Sequence, residues 1–220
     1  MNTLFFIGLL FTSINPQIIL AHSEHEKKTI GISRNSAAYV TPVKAGGHGT
    51  GTYVKIDNSF FIITAKHVTD GHQDFFINVG KMSSLAHKVY ESKTKDISVL
   101  QVAQISTLQP INLDTACVLE GAGETVYFSG FPSHYSLLTT RAFITGGGER
   151  TKYLQGLAWF GSSGSGVINR KNELCGIVTA IATEQRGFFV HALESLNYMH
   201  TITDKDILDI RKVIEEKKIK

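Results

Sequence analysis

Three short segments of this 220-residue chain hold the residue types that covalent chemistry needs. In Thr64-Ala-Lys-His67-Val68 an apolar, β-branched run ends in a histidine. In Lys95-Asp96 an acid stands directly before the apolar run 97–102, and in Gly161-Ser162-Ser163-Gly164-Ser165-Gly166 three serines are set among glycines. Acyl transfer to a serine hydroxyl needs a base to take its proton, an acid to hold that base in one tautomer, and donors for the oxyanion. A glycine-rich turn can expose a hydroxyl and aim backbone N–H groups into one small space. Singly each segment is weak, because Gly/Ser turns are ordinary loops. Of the competing acids, Asp70 and Asp74 follow His67 too closely to reach around its imidazole, and Asp114 is more distant.

The elements that must position these residues read as strands. Runs at 53–56 and 59–64 flank the turn dipeptide Asp57-Asn58, and similar short runs follow at 74–79, 97–102, 125–129, 136–144, 166–169, 173–182 and 187–192. Their β-branched and aromatic content, punctuated by glycine, predicts an all-β sandwich or barrel. One helix is expected at 203–220: Thr203 and Asp206 have capping-box spacing, and Ile207, Ile210, Val213 and Ile214 share a face. Two barrels fit the length, a first at 22–108 with an N-terminal arm and a second at 109–202, joined through 104–115 with its Pro110.

Composition bounds the rest. With 42% hydrophobic residues, 19% charged and a net charge of +3, the chain is neither disordered nor a multi-pass membrane protein, and no basic-aromatic cluster points to nucleic acid. Residues 1–21 carry no charge and include an apolar core ending in Ile18-Ile19-Leu20-Ala21, which predicts a signal peptide and a secreted or periplasmic protein. An uncleaved membrane anchor is the alternative, although Asn15 and Pro16 interrupt the stretch; after cleavage no stable membrane insertion is expected. His22 and His25 read as a solvated tail rather than a metal site, and His48 as a loop residue able to reach substrate. No metal or cofactor is expected.

Taken together, TAKH, DISVL and GSSGS resemble the His, Asp and Ser signatures of the trypsin/chymotrypsin superfamily, in the family's order. The stretches from Gly123 to Phe131 and from Cys175 to Ile181 resemble its second-barrel strands. The resemblance implies two chymotrypsin-like six-stranded antiparallel β-barrels with a C-terminal α-helix. It also implies a serine endopeptidase acting on protein or peptide substrates, with His67 as base, Asp96 as its orienter, Ser163 as nucleophile, and the N–H groups of Gly161 and Ser163 as oxyanion hole. With few cysteines it resembles bacterial and viral relatives, such as the HtrA protease domain and the staphylococcal glutamyl endopeptidases, and the likeness to HtrA implies the protease domain alone, without a PDZ domain.

Departures from the family pattern carry further expectations. Ser162 stands where digestive enzymes carry an activating acid, so cleavage before Ile30, behind Lys27-Lys28, should not be required. The primary pocket would be walled by Leu157, by Thr179, Ala180 and Ile181, and by Gly187, Phe188 and Phe189. It has no acid at its base, and Ile181 would favour small aliphatic residues; His191 is expected to be structural, with recognition of a glutamate or glutamine side chain as the alternative. Cys175, within a strand, reads as a buried small hydrophobe, and spacing leaves a bond to Cys117 open. The competing functional reading is a catalytically silent trypsin fold used as a binding or structural module.

Overall fold

In the computed structural model the backbone is described for residues 23–44, 46–186 and 189–218, and side chains for these except 184–186, 189–195 and 217–218. The expected leader at 1–21, with His22, lies outside the described residues. Two closed barrels follow one another along the chain. The first contains β1 (Ala37–Pro42), β2 (Gly49–Ile56), β3 (Ser59–Thr64), β4 (Asp74–Val79), β5 (Met82–Glu91) and β6 (Ser98–Val102). Its order is β1-β4-β5-β6-β3-β2, closed by antiparallel pairing of β2 with β1. The second contains β8 (Thr125–Gly130), β9 (Leu138–Gly147), β10 (Thr151–Gln155), β11 (Gly166–Asn169), β12 (Leu174–Arg186) and β13 (Phe189–Thr201), closed in the order β10-β13-β12-β11-β8-β9. The connection between barrels adds a two-residue strand, β7 (Ile111–Asn112), parallel to β2.

Strands β2, β3 and β6 are buried on both faces for most of their length, and β3 accordingly carries the continuous apolar run Phe60-Phe61-Ile62-Ile63. Tyr53, Ile62, Leu100 and Val102 point into the first barrel. Their neighbours Val54, Phe61, Ile63 and Val99 pack outward against Ile168, Leu174 and Ile177 of the second barrel and against the terminal helix α3 (Asp204–Lys218). The period-2 alternation of a strand thus serves two cores at once. A third core fills the second barrel with Val126, Phe128, Ile144, Leu154, Val178 and Met199.

Helix α3 starts as its capping box predicts: Thr203 donates its N–H to Asp206 Oδ2 at 2.8 Å, and Asp206 returns its own to Thr203 Oγ1 at 3.4 Å. Ile207, Ile210 and Ile214 are buried. Two findings correct the sequence reading. The segment expected as a solvated tail is helical: α1 (Glu24–Asn35) is capped by Ser23 and packs on the second barrel. Its buried contacts are polar, Thr29 Oγ1 to Asn172 Oδ1 at 2.9 Å and Ser33 Oγ with Ser129 Oγ at 2.8 Å, so no apolar periodicity announces it. His25, within it, contacts the carbonyl of Arg170. Second, Cys175 is not a free hydrophobe but forms a disulfide with Cys117, Cα–Cα 4.8 Å. The inter-barrel connection runs back against β12 and brings together two residues 58 apart. No helix among the described residues is long and apolar enough to cross a membrane.

Candidate active site

His67 lies in the one-turn helix α2 (Lys66–Thr69) that follows β3, and Asp96 lies in the turn between β5 and β6. Because β3 and β6 pair antiparallel, with Thr64 opposite Ser98, the end of one strand meets the start of the other. Asp96 accepts twice from His67, from the backbone N–H at 2.9 Å (Oδ1) and from Nδ1 at 2.7 Å (Oδ2). The second bond places the ring proton on Nδ1 and leaves Nε2 as the basic lone pair. The competing acids are employed elsewhere or stand off: Asp74 pairs with His87 at 2.5 Å, Asp114 lies 3.8 Å from Arg211, and Asp70 is exposed.

The hydrogen bond to Asp96 raises the His67 pKa against the opposing effect of burial, and the charges of Asp96 and Asp70 add to it. Burial disfavours the Asp96 carboxylate, yet the two hydrogen bonds and the charge of His67 outweigh burial and hold its pKa below the usual carboxylate range.

Ser163 sits in the turn between β10 and β11. Gly161 and Gly164 take φ of +97° and +91°, in the left-handed region that favours glycine. A Cβ at Gly164 would overlap the carbonyl oxygen of Thr50, and one at Gly161 would overlap His48 Nε2 and the Phe131 carbonyl. The N–H groups of Ser162, Gly164 and Ser165 donate to Trp159, Val178 and Ser162 carbonyls. Among the described residues no backbone carbonyl takes the N–H of Gly161 or Ser163, the two expected to serve an oxyanion.

Threonines of β2 and β3, which sequence reasoning did not single out, hold this turn across the barrel seam. Thr50 donates its N–H to Ser163 O and its hydroxyl to Gly161 O, each at 2.8 Å, while accepting the N–H of Phe131 at 3.0 Å. Thr52 donates to Gly164 O at 3.3 Å, and Thr64 fixes Thr50 O at 2.7 Å. Their signal in the sequence is Thr50 and Thr52 at strand spacing among small residues, which points to close backbone approach without naming the partner.

His67, Gly161 and Ser163 line one cavity of about 600 Å³, together with His48, Asp70, His134 and Phe160. His48 donates from Nε2 to Phe131 O at 2.9 Å and stacks on Tyr39 with ring centroids 4.6 Å apart. Burial lowers its pKa, the Phe131 carbonyl opposes that, and His134 adds to the lowering. Of the residues expected to wall the specificity pocket, Leu157, Thr179, Ala180 and Ile181 have described side chains. Leu157, exposed, lines a separate apolar cavity of about 490 Å³ with Phe128, Tyr135, Leu138 and Ser162. On β12, Thr179 is buried, Ala180 exposed and Ile181 half-buried against the second-barrel core. Gly187 and Phe188, and the side chains of Phe189 and His191, lie outside the described residues.

A family profile described as a trypsin-like peptidase domain matches residues 49–177, more than half of the chain. No curated protein sequence matches. Solved structures do, at low identity. The protein Rv3671c of Mycobacterium tuberculosis, in an inactive form, is 18% identical over 84% of this chain and 90% of its own, with a TM-score of 0.66. A serine endoprotease of Yersinia pestis is 20% identical over 89% of this chain and 68% of its own, TM-score 0.66. The HtrA-type protease AlgW, solved with a tripeptide, is 18% identical over 86% of this chain and 62% of its own, also with a TM-score of 0.66. At these identities the structures establish a shared fold.

Proposed function

We propose, for a chain that belongs to the family of trypsin-like peptidase domains and is a serine endopeptidase, that it hydrolyses peptide bonds through an acyl-enzyme on Ser163. The observation that carries this reading is the His67–Asp96 pair, hydrogen-bonded at 2.7 Å, with His67 lining one cavity with Ser163. Ser163 Oγ attacks the scissile carbonyl as His67 Nε2 takes its proton. The N–H groups of Gly161 and Ser163 receive the oxyanion, and Asp96 stabilises the imidazolium. His67 returns the proton to the leaving amine, then activates water to release the acyl group. Among the described residues no hydrogen bond joins the His67 ring to Ser163 Oγ, which favours a second reading, a latent state of the same site. Catalytic hydrogen bonds commonly tighten only with substrate bound, so the active reading is retained.

No acid lies among Leu157, Thr179, Ala180 and Ile181, which supports a small aliphatic residue before the scissile bond. Peptide-library profiling tests this: cleavage after small aliphatic residues is expected, and cleavage after Arg or Lys overturns it. Ile30 lies within α1, and Ser162 Oγ accepts from the Trp159 N–H at 3.2 Å, which supports activity without cleavage at Lys27-Lys28. The same assay on a Lys27→Ala/Lys28→Ala protein should show full activity; an inert variant contradicts it. The Cys117–Cys175 disulfide supports export to an oxidising compartment, as the apolar leader does. Recovery of the chain lacking residues 1–21 outside the cytoplasm is the expected result, and cytoplasmic retention of the whole chain is the contrary one.

A further inference from the structure

The carboxylate of Asp96 is committed to His67, but Asp96 itself lies on a turn, and a turn residue holds a catalytic geometry only when something outside the turn fixes its peptide. Two contacts do so here, both from the junction of β13 and α3. The N–H of Asp96 donates to Nδ1 of His200 at 2.8 Å. Next to it, Lys95 Nζ donates to Thr201 O at 2.9 Å and to Asp206 Oδ2 at 2.6 Å, an ion pair with side chains only 5% and 9% exposed.

From this arrangement we infer that His200 is a positioning residue for the catalytic acid, holding the Asp96 peptide so that the carboxylate meets His67. The inference rests on the triad reading above. The role is specific to an acceptor. His200 Nδ1 must be unprotonated to receive the N–H, with its own proton on Nε2, and a protonated ring would set N–H against N–H. The charged groups around His200 are Asp96 and Lys95 from the first barrel and Asp206 from α3. Its sheet neighbours Thr151 and Ile177 carry no charge, and Glu149 and Arg150, ahead of β10, are exposed. Lys95 keeps the junction docked, whereas His200 touches the peptide of the acid itself.

The test follows the His67 imidazole by NMR pH titration in Ser163→Ala protein, with and without His200→Ala. Loss of the acceptor should move the His67 midpoint down, toward an ordinary histidine, and His200→Asn, whose amide oxygen can accept the N–H, should restore it. In the otherwise native enzyme His200→Ala should lower kcat about ten- to a hundredfold with KM within about twofold. If His200→Ala does not fold, His200→Leu fills the site without an acceptor and carries the same expectation. An unchanged His67 midpoint, with only Tm lowered, overturns the inference. The titration needs no turnover: a shifted midpoint in a protein that never hydrolyses peptide leaves the positioning role standing and the peptidase reading refuted. An active enzyme with an unmoved midpoint does the reverse.

Discussion

The two barrels support the candidate site by different means. On the first-barrel side the fixing is done by side chains: Asp96 accepts twice from His67, gives its own N–H to His200, and is flanked by the buried Lys95–Asp206 pair. On the second-barrel side it is done by backbone: the turn around Ser163 depends on left-handed glycines and on carbonyls held by threonines of β2. A side-chain network can be altered while the chain still folds, and it then changes protonation and orientation. A backbone turn wedged against a neighbouring strand cannot be altered without moving that strand.

Substitutions on each side should therefore fail differently. The largest effect is expected for Asp96→Asn, which keeps the shape but favours the wrong imidazole tautomer; kcat should fall about ten-thousand-fold, with little change in Tm. Its pH profile sharpens the comparison. Only neutral His67 accepts the serine proton, so activity rises with pH through the His67 pKa, which the Asp96 hydrogen bond holds above the ordinary histidine value. In Asp96→Asn that acid limb should move to lower pH; a limb that stays in place would break the assignment of Asp96. The same shifts act on stability with opposite signs. The depressed Asp96 pKa contributes stability present above the unfolded carboxylate value and lost as pH falls through the folded one. The raised His67 pKa contributes stability below the unfolded histidine value, lost as pH rises through the folded one.

Gly164→Ala comes next. Its Cβ has no room beside Thr50 O, so the turn must shift; kcat should drop about a hundred- to a thousandfold, as when an oxyanion donor is lost. Unlike Asp96→Asn, it should lower Tm and leave the acid limb where it is. Equal Tm for the two variants would erase the distinction between the barrels. The smallest catalytic effect is expected for Cys117→Ala/Cys175→Ala. Closing a separation of 58 residues stabilises by about 4 kcal/mol, read by denaturant melt, while kcat should stay within about twofold because neither cysteine lines the cavity.

How much of this was legible in the sequence follows the same division. His67, Asp96 and Ser163 stand in short contiguous segments, each with its chemistry beside its strand or turn, and the structure brings His67 to Asp96 and into one cavity with Ser163. Strands β3, β4, β8 and β11 were readable because their apolar or β-branched runs are short and bounded by turn residues. Strand β5 was not: its residues are mostly exposed or half-buried and lack alternation. Helix α1 was missed because it docks through Thr29 and Ser33, and a polar buried face has no periodic apolar signature. His200, Thr50 and the disulfide act on partners more than 50 residues away, so nothing near them in sequence states their role. The expected specificity pocket was a list of positions, and only a chain trace could say that Leu157 opens into a different cavity from Ser163.

The most direct test of the central claim is labelling by a fluorophosphonate probe, which reports a serine whose proton is taken by a working base. Wild-type protein should be labelled on Ser163, and the Ser163→Ala protein should not be labelled at all. Equal labelling of both, or labelling of wild type at another residue, would contradict the assignment of Ser163 as nucleophile, and absence from both would contradict an active triad.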